Sequence, residues 1–170
     1  ILQTFYSWMT IYSVIYLREV IGFSWENLGV ILVVMLIPFP IIQYPLGKIS
    51  DKLGEKRIMA IGFTIMGIST MALSFISSHS VAVWACALLV TRIGAAAAEV
   101  MMETYFFKTA SMRDSAVLGA FRVTRPLSYF FAPLIMGASL LFTTHQYVFV
   151  VVGVICLLAI YPVMRMRDVR

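Results

Sequence analysis

Charge is scarce in this sequence. Asp, Glu, Lys and Arg make up 12% of its 170 residues, about half the share of an average soluble domain. That scarcity excludes a soluble enzyme, and it excludes a nucleic-acid partner, because the basic residues sit at the ends of apolar runs and not on a water-facing patch. Cysteine is limited to Cys86 and Cys156, and histidine to His79 and His145. Both cysteines lie inside apolar stretches, where a thiol packs as a small hydrophobe. No disulfide framework or metal-ligand spacing follows from them. The histidines have no neighbouring Asp, Glu or Cys. Neither enzyme chemistry nor a metal or other cofactor is therefore expected. A charged leader followed by a short apolar run and a cleavage site, the pattern of a signal peptide, is also missing.

What the sequence has is apolar length. Hydrophobic residues make up 61%, and the mean hydropathy is +0.94. A bilayer core about 30 Å thick takes roughly 20 apolar residues per helix. On that measure the chain divides into six segments, at approximately 1–20, 28–46, 58–77, 81–107, 116–142 and 147–164. The runs are continuous, unlike the alternation of barrel strands, and they leave no polar face for water. The fold class is all-α: a polytopic membrane protein, one bundle of six transmembrane helices within the lipid bilayer. Because Ile1 already stands inside an apolar run, the chain reads as a piece of something longer.

Orientation follows from the basic residues. Lys48, Lys52, Lys56 and Arg57 lie between segments two and three, Lys108 and Arg113 between four and five, and Arg165, Arg167 and Arg170 after six. The opposite side offers only Arg18. A bias of this kind marks the cytoplasmic face, so both ends are expected in the cytoplasm.

The 47–57 segment reads Gly47-Lys48-Ile49-Ser50-Asp51-Lys52-Leu53-Gly54-Glu55-Lys56-Arg57. Gly47 allows close backbone approach and Gly54 a positive φ at the reversal. Asp51 can cap a helix start or meet its dipole. Gly47, Asp51, Gly54 and Lys56, with Lys52 as a like-charged substitute, resemble the G-x-L-a-D-r-x-G-r-k signature of the major facilitator superfamily. In that family the signature joins the second and third helices of each six-helix half. Glu55 departs from the pattern, standing where a basic residue is usual, and Ile49 replaces Leu. The resemblance implies a permease: a secondary transporter that moves a small-molecule substrate across a cell membrane by alternating access, driven by a proton or other ion gradient or by the solute's own.

It further implies two inverted three-helix repeats, one half of a twelve-helix fold, and a missing six-helix half as partner. Segments two (Pro38, Pro40, Pro45) and five (Pro126, Pro133) are both Pro-interrupted, the paired irregularity such repeats produce. The opening from Phe5 to Leu17 is similar to the seventh helix of bacterial members. The expectation is therefore the C-terminal half of a transporter in a prokaryotic inner or plasma membrane, with Gly47, Asp51, Lys52, Gly54, Lys56 and Arg57 forming a cytoplasmic gate.

An ionisable residue at bilayer depth costs about 2.5–3.5 kcal/mol even on insertion scales, so it normally faces protein or water. Arg92, Glu99 and Glu103 fall on one face of segment four, and Arg122 and Arg125 on one face of segment five. Hairpin symmetry about the 108–115 turn sets Glu103 level with Arg122 and Glu99 level with Arg125, which predicts those two ion pairs. Arg92 has no acid at its own depth within segment five, and Arg92-Ile93-Gly94-Ala95 weakly resembles a fourth-helix motif of the family, which implies a part for Arg92 in substrate or proton coupling. Glu99 is the leading candidate for a protonating group. Trp8, Tyr12, Tyr16 and Glu19 form a polar-aromatic stripe; because the first and fourth helices of each half line the substrate path in the family, the resemblance makes Tyr12 and Tyr16 candidate substrate contacts. The small-residue run from Gly94 to Ala98 predicts close helix packing. A non-transporting six-helix scaffold and an integral-membrane enzyme are the alternatives.

Overall fold

The structure, a computed structural model, describes residues 1–109 and 115–166, with backbone only at Asp51, Lys52 and Ser115. Arg113, Arg167 and Arg170, used above for orientation, lie outside the described residues. The described chain is helical apart from short connections: α1 (Leu2–Glu19), α2 (Trp25–Leu36), α3 (Pro38–Leu53), α4 (Glu55–Leu73), α5 (Val81–Thr109), α6 (Ser115–Leu140), a 3₁₀ turn at His145–Tyr147, α7 (Val148–Leu158) and α8 (Ile160–Arg165). With α2–α3 and α7–α8 each counted as one interrupted rod, these are the six segments read from hydropathy.

The expected interruption of segment five is absent, since α6 runs unbroken through Pro126 and Pro133; the breaks fall in α2–α3 and α7–α8 instead, each beside a proline. Proline has no N–H to donate and its ring crowds the carbonyl four residues back. Pro38 opens α3 directly after the break at Ile37, whose N–H reaches back only three residues, to the Val34 carbonyl. Pro162 sits in the first turn of α8, and the break at Ala159 likewise carries a three-residue bond, to Cys156.

Four rods among the described residues are long and apolar enough to cross a membrane: Trp25–Ser50, Glu55–Leu73, Val81–Thr109 and His145–Arg165. Helices α1 and α6 are not among them. Gln3, Thr4, Ser7, Thr10 and Ser13 dilute the first, and Arg122, Thr124, Arg125 and Ser128 the second. Several of these polar residues line the cavities described below.

Helix α4 packs along α5 on one side and α7 on the other. Glycine makes both approaches possible. A Cβ on Gly94 would come within 2.6 Å of the Met66 backbone nitrogen, and one on Gly62 within 2.8 Å of the Gly94 carbonyl. On the opposite side of α4, a Cβ on Gly153 would come within 2.7 Å of the Gly67 carbonyl. The predicted close packing of the 94–98 run is therefore present, with Gly94, Ala95, Ala96, Ala97 and Ala98 all buried.

The 47–57 segment departs from its reading as a loop. Helix α3 continues to Leu53 and α4 starts at Glu55, so the whole reversal falls on Gly54, at φ 82 and ψ 144. Its positive φ was expected. The close approach expected at Gly47 is absent, since nothing lies within 4 Å of a Cβ placed there.

Candidate functional site

Three helices bring polar residues to one place. On α1, Gln3, Tyr6 and Thr10 recur at three and four residues and share a face. On α5, Arg92 and Glu99 stand two turns apart. On α6, Arg125 and Tyr129 are one turn apart. Between these helices and α2–α3 lies a cavity of about 360 Å³, lined by Tyr6, Thr10, Leu32, Met35, Leu36, Phe39, Arg92, Glu99, Arg125 and Tyr129.

Glu99, 9% exposed, is held from two sides. The Tyr6 hydroxyl donates to its Oε2 at 2.9 Å, and Arg125 Nη2 donates to its Oε1 at 3.2 Å. Arg125 also donates through Nε to Gln3 Oε1 at 3.2 Å, so one guanidinium joins α1, α5 and α6. The predicted Glu99–Arg125 ion pair is thus formed.

Arg92 is only 3% exposed. Its guanidinium carbon lies 5.3 Å from the Tyr6 ring centre and 5.8 Å from that of Phe5. One long bond, 3.4 Å from Nη2 to Thr10 Oγ1, accompanies these ring contacts. Its Nε has no partner. Among the described residues Arg92 forms no ion pair; Glu99 is paired with Arg125 instead.

A second cavity of about 260 Å³ lies toward the α5–α6 turn, lined by Gln3, Glu103, Phe107, Leu118, Phe121, Arg122, Thr124 and Arg125. Arg125 borders both spaces, and its partner Gln3 lines the second. Glu103 and Arg122 share this second cavity but form no ion pair with each other among the described residues. That is a correction to the level-depth argument. Both side chains are exposed, so no packing among the described residues holds them together.

Tyr12 and Tyr16 line neither cavity. Their stripe turns toward α5 and α7: Tyr16 packs against Trp84 and Phe149, and the Tyr12 hydroxyl donates to the His145 carbonyl at 2.5 Å. Both are 1% exposed and act in packing. Gln3, Tyr6, Thr10 and Tyr129 were not singled out from sequence. The signal was available, since the 3-6-10 spacing on α1 is as regular as that of the 12-16 stripe.

In the 47–57 segment, Glu55 stands in the first turn of α4, where the helix dipole favours a carboxylate. It is 2% exposed and accepts from Lys108 Nζ, at the end of α5, at 2.5 Å. The side chains of Asp51 and Lys52 lie outside the described residues. Lys56 is half-buried, Arg57 exposed, and Lys48 lies 4.8 Å over the Tyr44 ring.

No curated protein matches the chain closely enough to count as a relative. The sequence profile described as Major Facilitator Superfamily matches residues 1–170. A bundle of apolar helices, a Gly54 reversal between α3 and α4, and a full-length profile match agree: the chain belongs to the Major Facilitator Superfamily and is a transporter protein of that general type.

Proposed function

We propose that the chain forms one six-helix half of a secondary active transporter, which moves a small solute by alternating access. The observation that carries this is Arg92, a buried guanidinium on the wall of a cavity that forms no ion pair among the described residues. A bundle serving only as scaffold has no use for that arrangement, because an unpaired buried charge costs several kcal/mol. In this reading α1 and α6 also cross the membrane. Their polar faces border the aqueous path, which is why they fall short of a lipid-facing helix in apolar content. Two inverted repeats relate α1 through α4 to α5 through α8, the Pro-broken α2–α3 rod corresponding to α6.

The end of the bundle carrying Lys48, Lys56, Arg57, Lys108 and Arg165 faces the cytoplasm, together with both ends of the chain. There the reversal at Gly54, clamped to α5 by Glu55 and Lys108, serves as the gate. The missing six-helix half closes the cavity from the exposed side of α6, and lipid covers the remaining apolar surface.

Glu99 is the proton-carrying group. Ionised, it holds Arg125 across the passage between the two cavities. Protonated, it loses its charge attraction for Arg125, and the guanidinium is free to move. A proton gradient thereby acts on the residue that separates the deep cavity from the outer one.

The test is uptake by the full-length protein in membrane vesicles. Arg92→Ala should abolish uptake at normal membrane expression, and unchanged transport removes Arg92 from the site. Glu99→Gln should abolish gradient-driven accumulation while leaving solute exchange, since a permanently neutral side chain cannot carry a proton.

A further inference from the structure

We infer that the solute bound in the α1–α5–α6 cavity is a small monocarboxylate with an apolar body. This rests on the transport reading above and names its substrate class. Charge comes first. The cavity is lined by two guanidinium groups, Arg92 and Arg125, and one carboxylate, Glu99. Glu99 is already paired with Arg125. Among the described residues one positive charge is left over, and it belongs to the more buried arginine.

Geometry locates it. Ser7 Oγ, Trp8 Nε1 and Arg92 Nε are buried polar atoms without a partner, and of the three residues only Arg92 lines the cavity. The Phe5 and Tyr6 rings take up the guanidinium by cation–π contact, which uses its charge but not its N–H donors. Those donors lie in the guanidinium plane, in a fork that matches a planar carboxylate. A bound monoanion supplies the missing charge and accepts from them.

The opposite wall sets the rest of the molecule. Leu32, Met35 and Leu36 on α2 and Phe39 on α3 offer no polar group. A sugar or zwitterion would leave hydroxyl or ammonium groups unpaired there, at a cost of about 1–3 kcal/mol each. An aliphatic or aromatic body fits that surface. A dianion such as a phosphate monoester overshoots the single spare charge.

The experiment compares four hexyl compounds on the purified full-length protein at neutral pH: hexanoate, hexanamide, hexylamine and hexyl phosphate. They share the apolar body and differ at the head. Hexanoate should raise the melting temperature most, and Arg92→Gln should lower its affinity by about tenfold or more. Equal or greater stabilisation by the amide or the amine overturns the inference, as does tighter binding of hexyl phosphate, or no response to hexanoate at millimolar concentration. The ranking on the unmodified protein decides even if the Arg92 variant does not fold. Uptake separates the two readings. Hexanoate bound but never moved in vesicles overturns transport and leaves the binding class standing. Uptake of neutral or cationic solutes instead overturns the binding class and leaves transport standing.

Discussion

Lys108 Nζ lies 2.5 Å from Glu55 Oε1, so the acidic residue that breaks the family signature has a cation waiting for it on the next helix. Glu55 is buried and the lysine side chain is 41% exposed. Their charges tie the start of α4 to the end of α5, beside the only residue between α3 and α4. A basic residue at position 55 would face Lys108 across the same short distance and repel it.

Removing one partner of that pair should therefore cost more than removing both. Lys108→Met leaves a buried carboxylate uncompensated and should destabilise the protein by about 1–3 kcal/mol. Adding Glu55→Gln should recover part of the loss. Melting temperatures of the two variants check this. A double variant less stable than Lys108→Met would show that the pair does not act as a unit.

Arg125 holds Gln3 and Glu99 through different nitrogens, a task suited to a planar fork. Arg125→Gln should abolish uptake in vesicles, with expression preserved because the side chain is 63% exposed. Arg125→Lys should retain partial uptake through its charge. Equal activity in all three proteins would mean that neither charge nor shape matters at this position.

The glycine contacts of α4 should tolerate nothing larger. Gly94→Ala sets a methyl group against the α4 backbone and should cost about 1–3 kcal/mol, as overpacked cores do. Gly119→Ala on α6, where a Cβ meets nothing within 4 Å, should be neutral or slightly stabilising, since alanine is the better helix former. Detergent-solubilised yield and melting temperature report both.

Tyr12→Phe removes the hydroxyl bond to the His145 carbonyl and should lower stability by about 1 kcal/mol. Because the residue lies outside both cavities, the apparent affinity for substrate should not change. A shift in affinity would return Tyr12 to the substrate path.

Orientation can be read by labelling. With Cys86 and Cys156 replaced, Lys56→Cys should react with a membrane-impermeant maleimide only from the cytoplasmic side, and Ser78→Cys only from the outer side. Reaction of both from one side would end the proposed topology.

Composition and spacing determined the membrane class, the helical rods and the break at Pro38, because hydropathy and proline geometry act locally. They did not separate Pro126 and Pro133, which leave α6 continuous, from Pro162, which sits beside the break in the last rod. They also placed Glu99 level with Arg125, since depth in a hairpin depends only on residue number. What they could not determine is rotation about each helix axis. Tyr12 and Tyr6 both lie on α1 and are equally plausible by type, yet one packs against Phe149 and the other meets Glu99. That choice is made by how α1 seats against α6 and its other neighbours. Equal depth likewise did not bring Glu103 to Arg122, because side chains in an open space are not held by packing. That Arg92 forms no ion pair among the described residues is tertiary as well: the packing of α1, α5 and α6 gives Glu99 to Tyr6 and Arg125.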